Sequence, residues 1–457
     1  MFFKQFLRDD LGCASYMIGD TDAGVCAVVD PQWDVSAYVQ TAAEKGLRIT
    51  HVVETHNHAD HLSGHGKLAA LGAQVAIHRD AGVEYEHLPL DDGSVIELGS
   101  VKLQVLHTPG HRPEHIALAV TDTSRAQEPW MVFTGDSLFV GAVGRPDLAV
   151  EPQQGASDLY DSLREKLLPL YDGVELYPAH IAGSLCGKAI SAKGSSTIGF
   201  ERRFNPALGV TNKSSFVEQV TRDLPPQPPQ FGRIVAMNRG RFLSKEPEVR
   251  ALSIDEFEEH RGRGALVLDT RSPEAFGSGH IPGAINVDMR GGQFGTRASW
   301  IIPEETPVVL VLARFEDVEE ASSGLAAVGQ FGVVGYLTGG MDAWDTSGRP
   351  LQSIPQLPVR ELRELIVGER NRYTILDVRE ASEWREGHIE GAQHIPFHDL
   401  KTHLDDLPSN KPVATICGSG TRSSIAASIL QREGFEVANV AEGMDGWRAD
   451  GNPVVET

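Results

Sequence analysis

The second half of the chain repeats itself, and no other feature narrows its fold as far. Val267-Leu-Asp-Thr-Arg271 returns as Ile375-Leu-Asp-Val-Arg379, His280-Ile-Pro-Gly-Ala284 as His388-Ile-Glu-Gly-Ala392, and Gly340-Met-Asp-Ala-Trp344 as Gly443-Met-Asp-Gly-Trp447. The first two pairs share an offset of 108 residues and the third is offset by 103, so a short insertion or deletion falls between them. Two copies of one domain of roughly 100 residues follow. Within each copy, short β-branched runs (ALVLDT, PVVLVL, VVGYLT; then YTILDV, PVATIC, FEVANV) alternate with helical stretches. That alternation predicts an α/β domain with a parallel sheet.

The chain has 457 residues, too many for one ordinary core, and two to four domains are expected. Pro-rich stretches, DLPPQPPQ at 223–230 and SIPQLP at 353–358, read as stiff connections. The expected division is 1–245, 246–353 and 354–457. The front block differs from the repeats. Its predicted strands (GVCAVVD, ITHVVET, GAQVAIH, VKLQVLH, WMVFTGD, GVELYPAH) mostly end in His or Asp, where sheet scaffolds pass into loops and metal sites are built.

A net charge of −22 argues against nucleic acid or an anionic membrane surface as partner. No apolar run approaches the ~18–20 residues of a membrane span. The start MFFKQFLRDD carries no signal-peptide pattern, and four scattered cysteines (13, 26, 186, 417) suit a reducing cytoplasm rather than a disulfide framework.

The densest motif is THNHADH, residues 55–61. His56 and His58 are two apart and leave one face of an extended segment. With Asp60 and His61, and with His111, Asp136 and His180 at later strand ends, there are seven potential metal ligands. This H-x-H-x-D-H signature and the order of the later ligands resemble the metallo-β-lactamase superfamily, which implies an αββα sandwich of two mixed sheets for the first domain.

Two chemistries stand open. In a dinuclear zinc hydrolase of the glyoxalase thioesterase kind, His56, His58 and His111 would hold one ion, Asp60, His61 and His180 the other, and Asp136 would bridge. In a mononuclear Fe(II) oxygenase, two histidines and a carboxylate leave positions open for substrate and O₂. The resemblance to persulfide dioxygenases points to His56, His111 and Asp136 as that triad. His58, Asp60, His61 and His180 then become supporting residues. Gly-Arg-Pro-Asp, residues 144–147, looks like an element of those dioxygenases. It makes Arg145 and Asp147 candidates for the substrate pocket, or a structural ion pair.

In the second repeat, PVATIC delivers Cys417 into the loop GSGTR at a helix N-terminus, where backbone amides and Arg422 favour a thiolate. The segment is similar to the rhodanese sulfurtransferases, and the resemblance spans residues 360–450. It implies a persulfide on Cys417, cradled by the loop amides and Arg422. Gly418 stands where thiosulfate:cyanide enzymes often carry Arg. The first repeat has no cysteine: none occurs between 187 and 416, and acidic Glu316, Asp317, Glu319 and Glu320 occupy the former anion pocket. It should be catalytically inert and architectural. Cys186 reads either as a sulfur relay near the metal or as a small buried residue, and Cys13 and Cys26 as packing residues.

The order of metal domain, inert repeat and active repeat looks like the bacterial persulfide dioxygenase–sulfurtransferases. The resemblance implies one Fe(II) per chain (alternatively two Zn), a low-molecular-weight thiol persulfide and O₂ as substrates, and sulfite or thiosulfate as products. It also implies a homodimer or homotetramer acting in sulfide detoxification.

Overall fold

The computed structural model describes all residues except 188, 225, 246, 247, 369–372, 409 and 457. The chain forms two compact units, residues 1–246 with 326–329, and residues 247–325 with 330–457. The expected boundary after residue 245 abuts 246 and 247, outside the described residues.

The first unit holds two six-stranded sheets. One runs in chain order: β1 (Phe2–Arg8), β2 (Cys13–Asp20), β3 (Val25–Val29), β4 (Arg48–Val53), β5 (Gln74–His78) and β6 (Leu88–Leu90). The other comprises β7 (Val95–Leu98), β8 (Val101–His107), β9 (Ile116–Asp122), β10 (Met131–Gly135), β11 (Glu175–Pro178) and β12 (Ser196–Thr197), also in chain order. Both are mixed: β1 to β3 pair antiparallel and β3 to β6 parallel, whereas in the second sheet only β10 and β11 are parallel.

Tyr16, Ile18, Val29 and Val53 from one sheet pack with Leu103, Ile116, Leu118 and Phe133 from the other in one buried cluster. On the outer face of the first sheet, Met17, Cys26 and Val28 meet Tyr38 and Ala42 of helix Ser36–Lys45. On the outer face of the second, Ala117 and Val132 meet Leu159 of helix Pro152–Ser162. The result is the expected αββα sandwich. With both faces covered, β2 is buried at every position and shows no polar–apolar alternation.

In the second unit, each repeat forms a five-stranded, wholly parallel sheet. The first contains β13 (Arg250–Leu252), β14 (Leu266–Asp269), β15 (Ile285–Asn286), β16 (Val308–Val311) and β17 (Val333–Leu337), ordered β13-β17-β16-β14-β15. The second contains β18 (Gln356–Leu357), β19 (Thr374–Asp377), β20 (Gln393–His394), β21 (Val413–Ile416) and β22 (Val437–Val440), ordered β18-β22-β21-β19-β20. The order is the same in both.

The repeated motifs are the repeated fasteners of this fold. Arg271 forks onto Asp269 and reaches the Gly279 carbonyl at 2.8 Å; Arg379 forks onto Asp377 and reaches the Gly387 carbonyl at 2.9 Å. His280 stacks on Phe276, and His388 on Trp384. Trp344 and Trp447 each donate an indole N–H to a proline carbonyl six residues on. A bidentate Arg–Asp pair with a third acceptor satisfies charges that burial would otherwise penalise by several kcal/mol.

The repeats share an interface. Helix Thr421–Arg432, buried from Ser423 to Leu430, lies against β15. Ser424 Oγ donates to Asn286 Oδ1 at 2.6 Å, and His280 Nε2 lies 2.8 Å from Gln431 Oε1. The cysteine-less repeat therefore packs against the cysteine-bearing one. Among the described residues no helix is long and apolar enough to cross a membrane.

Candidate functional site

The first unit gathers its ligand-type residues at the strand ends, as their sequence positions suggested. His56, His111 and Asp136 each bring one ligand atom within 4.8 Å of the others. His111 Nε2 lies 3.3 Å and His56 Nε2 3.8 Å from Asp136 Oδ2. All three atoms are buried and have no hydrogen-bond partner among the described residues. Buried polar atoms are nearly always satisfied, so three such atoms gathered at one place fit a cation-binding site.

The opposite atoms of these side chains are fixed. Asp30 accepts from the Thr55 amide at 2.7 Å and from its hydroxyl at 2.9 Å, which leaves the Thr55 oxygen to accept from His56 Nδ1 at 2.9 Å. His111 Nδ1 donates to the Arg145 carbonyl at 2.9 Å. These bonds set the tautomers and leave both Nε2 lone pairs free. Burial holds both histidines below their ordinary pKa, as neutral ligands require. Burial opposes a charge on Asp136, but His180 and His111 outweigh it and bring the carboxyl down to about 2.

The other motif residues form two neighbouring clusters. His180 donates from Nδ1 to Asp136 Oδ1 at 2.7 Å and from Nε2 to Asp60 Oδ2 at 2.8 Å, so both ring nitrogens are engaged. His61 Nδ1 pairs with Asp60 Oδ1 at 3.2 Å. His58 Nε2 sits between Asp30 at 3.1 Å and Glu54 at 3.2 Å, apart from the orphan cluster. His58 Nδ1 and His61 Nε2 also lack partners among the described residues.

Cys13 departs from its expected packing role. Its sulfur lies 3.3 Å from Asp60 Oδ2 and 3.7 Å from His61 Nδ1, and it joins Asp60, His61 and His180 in a second possible ligand group. It starts β2 beside a bridge to His180, which brings the first strands of the chain to the site. Cys26 is a packing residue, and burial pushes its thiol up to about 12.

Two residues outside the seven-ligand set, His115 and Asp30, also serve the site. The Asp136 amide donates to His115 Nε2 at 2.8 Å, and His115 Nδ1 bonds Thr108; burial lowers this imidazole to about 3. Asp30 ends the stretch GVCAVVD, and His115 ends HTPGHRPEH, residues 107–115. Both signals were present, without a partner in sequence to interpret them.

Arg145 forks onto Asp147 at 2.7 and 2.8 Å and donates to the Leu185 carbonyl at 3.1 Å. The ion pair holds the segment whose backbone serves the site, since the Arg145 carbonyl orients His111. Cys186 is buried against Phe139 and Ala142, yet its sulfur falls within ligand distance of Asp136 and His180.

In the second repeat, Cys417 follows β21 and is wholly buried. The Gly420 amide points at its sulfur from 3.2 Å and Ser423 Oγ from 3.4 Å. Gly443 adopts φ +57°, and a side chain there would strike the backbone oxygens of Cys417 and Gly418. Arg422 is not a free cation: it forks onto Glu383 at 2.6 and 2.7 Å. In the first repeat Leu312 ends the equivalent run PVVLVL. Asp317 there accepts from Arg314 and Arg290, and Glu320 from Arg290. Internal ion pairs occupy the place of an anion pocket.

A mixed αββα sandwich with a buried His/Asp cluster, continued by paired parallel-sheet domains of which one ends a strand in a looped cysteine, defines a metalloenzyme fused to a sulfur-carrying module. Residues 8–180 match the metallo-beta-lactamase superfamily, and residues 253–347 and 359–450 each match the rhodanese-like domain. The chain is 33% identical over 228 residues to the mitochondrial persulfide dioxygenase ETHE1 of Homo sapiens, covering 49% of this chain and 82% of that protein. It is 34% identical over 170 residues to a hydroxyacylglutathione hydrolase of Polaromonas sp., covering 36% of this chain and 61% of that protein. A crystal structure described as a metallo-beta-lactamase from Staphylococcus aureus matches 74% of this chain and 98% of its own, at 33% identity and TM-score 0.66. The chain belongs to the persulfide dioxygenase family of the metallo-beta-lactamase superfamily, carries two rhodanese-like domains, and is an enzyme.

Proposed function

We propose that this chain oxidises the terminal sulfur of a low-molecular-weight thiol persulfide at a single Fe(II) held by His56, His111 and Asp136, and carries sulfane sulfur on Cys417. The division at 1–245, 246–353 and 354–457 assigns oxidation, architecture and sulfur transfer to successive segments. The observation that carries the reading is the pattern of satisfaction. The ligand atoms of His56, His111 and Asp136 are orphaned together, whereas His180 spends both nitrogens on Asp136 and Asp60.

Bound there, Fe(II) supplies the one-electron chemistry that lets O₂ react with a closed-shell sulfur. The protein does the rest. Thr55 and the Arg145 carbonyl aim the two imidazoles, His180 holds Asp136 through one oxygen, and the closed shell of side chains keeps bulk water from the cluster. In balance, one persulfide, one O₂ and one water give one sulfite and the free thiol. Cys417, loaded with sulfane sulfur by a second persulfide that leaves as its free thiol, then gives that outer sulfur to sulfite, forming thiosulfate and regenerating the Cys417 thiolate. The Gly420 amide and Ser423 hydroxyl are placed to stabilise the departing Cys417 thiolate.

A second reading, the dinuclear zinc hydrolase, is favoured by two observations: Cys13, Asp60, His61 and His180 also lie within ligand distance of one another, and His58 Nδ1 and His61 Nε2 are likewise unsatisfied among the described residues. Metal analysis of protein purified without oxygen, together with O₂ uptake on a panel of persulfides, separates the two. One iron per chain and persulfide-dependent uptake are expected. Two zincs and no uptake by iron-replete protein would refute the dioxygenase reading.

A further inference from the structure

The cysteine-less repeat reaches into the site of its sister. Helix Phe294–Ile301 is pinned to the second repeat at three successive points. Arg297 Nη1 donates to Thr421 Oγ1 at 3.1 Å, Trp300 stacks on His398 with ring centroids 4.6 Å apart, and the Ile301 carbonyl accepts from Lys401 at 3.1 Å. Thr421 is the residue between Gly420, whose amide meets the Cys417 sulfur, and Arg422. Arg297 therefore stands at the loop that holds the Cys417 sulfur, its helix held there by Trp300 and Ile301 one turn further on.

Its charge is uncommitted, unlike that of Arg422. Arg422 is neutralised by the fork onto Glu383. Arg297 forms no ion pair among the described residues; its bonds go to two neutral oxygens, the Gly291 carbonyl at 3.0 Å and Thr421 Oγ1. Its Nε is buried and has no partner among the described residues. The charged groups that act on it are Arg422, Cys417, Asp288 and Glu383, and burial with the nearby Arg422 lowers its pKa to about 10, so the guanidinium stays charged at neutral pH. A half-buried guanidinium with an unused donor beside a nucleophilic sulfur is a receptor for an anion.

We propose that Arg297, contributed by the cysteine-less repeat, is the anion-receiving side chain of the Cys417 site and selects a sulfur oxyanion as its partner in transfer. A planar guanidinium can pair two oxygens of a sulfonate-type group, which suits sulfite as acceptor and thiosulfate as the reverse donor. The chemistry stays balanced: sulfite attacks the outer sulfur of the Cys417 persulfide, the S–S bond to Cys417 breaks, and its electron pair remains on Cys417 as thiolate. Arg297 forms no bond to sulfur and acts by holding the oxyanion in line. The inert repeat is retained, on this account, because half of the acceptor site belongs to it.

The inference rests on the reading of Cys417 as the sulfur carrier, and the test keeps the two apart. Full-length enzyme with preloaded Cys417 persulfide is offered sulfite or the uncharged thiol dithiothreitol, and kcat and KM are measured for each. Arg297→Gln should lower kcat/KM for sulfite relative to dithiothreitol by roughly tenfold or more, chiefly through KM, the scale of a lost charged hydrogen bond. Arg297→Lys should recover part of that ratio, since it keeps the charge and loses the fork. Arg290→Gln, which removes a cation paired within the first repeat, should leave the ratio unchanged. An Arg297→Gln enzyme that loses both acceptors by one factor, or neither, overturns the proposal. Sulfur transfer surviving in Cys417→Ser overturns the carrier reading instead, and the inference with it.

Discussion

His180 and Asp136 are joined at 2.7 Å through Nδ1 and Oδ1, and this bond decides which Asp136 oxygen can serve a metal. Among the described residues Oδ2 is left without a hydrogen-bond partner, facing His56 and His111. Because Asp60 takes Nε2 of the same imidazole, His180 works as a strut between two carboxylates. A residue counted as a ligand in one chemistry thus becomes an orienting group in the other without any change in the fold.

Removing the strut should weaken the metal without abolishing its site. His180→Ala is expected to keep up to one iron per chain at saturation while lowering metal affinity about 10–100-fold, the range for lost orienting partners. Asp136→Ala, by contrast, should not retain iron through desalting. Chelator competition followed by elemental analysis distinguishes the two variants. Equal retention in both would remove the distinction between ligand and strut.

The Cys417 loop depends on a close backbone approach at Gly443. Its φ of +57° and the collision with the Cys417 and Gly418 oxygens mean that Gly443→Ala carries a left-handed penalty of about 1–2 kcal/mol as well as a clash. The Met444 amide, which donates to the Cys417 carbonyl at 2.7 Å, would be displaced. Persulfide loading of Cys417, read by mass spectrometry, should fall at least tenfold, with iron content unchanged. Normal loading would show that the loop tolerates the shift.

Much of this architecture was legible because it is built from local pattern. The repeated Asp–Arg, His and Trp motifs returned as the same fasteners in two sheets of one strand order. His56, His111 and Asp136 met because each lies close to a strand end of one sandwich. Hidden contacts were those made across distance by residues with no motif of their own. Cys13 reaches Asp60 only because β2 pairs within the sheet that carries the THNHADH loop, and CASYMIGD, buried on both faces, has no periodicity to announce a strand. Arg297 lies in a stretch with no counterpart among the repeated motifs, so the repeat that identified the domain gave no hint of its role.

Asp20 links the two sheets of the first unit and makes the fold acid-sensitive there. It accepts from the Ser100 amide at 2.7 Å, the Ser100 hydroxyl at 2.8 Å and the Asp22 amide at 2.8 Å. The Ser100 amide and hydroxyl bring its pKa down from 3.8 to about 2. A depressed carboxyl contributes stability that is fully present above its unfolded pKa and lost as pH falls through the folded one. Asp20→Asn should therefore lower the melting temperature of the first unit at pH 7 by a few degrees. The gap from wild type should narrow progressively below about pH 4. Scanning calorimetry from pH 7 to pH 3 checks this, and a gap that is constant with pH would assign the loss to packing.

The role of Cys13 separates one metal from two. Its sulfur touches Asp60 and His61 but none of the orphaned atoms of His56, His111 and Asp136. With one iron in the orphan cluster, Cys13→Ser exchanges a weak sulfur donor for a hydroxyl that can still bond Asp60, and the protein should keep one iron per chain. With a second ion among Cys13, Asp60, His61 and His180, the same change replaces a soft thiolate ligand by a poor one and should cost roughly one equivalent of metal. Elemental analysis of the variant, purified without oxygen beside the wild type, gives the count. A fall from two equivalents to one would replace the mononuclear site with a dinuclear one.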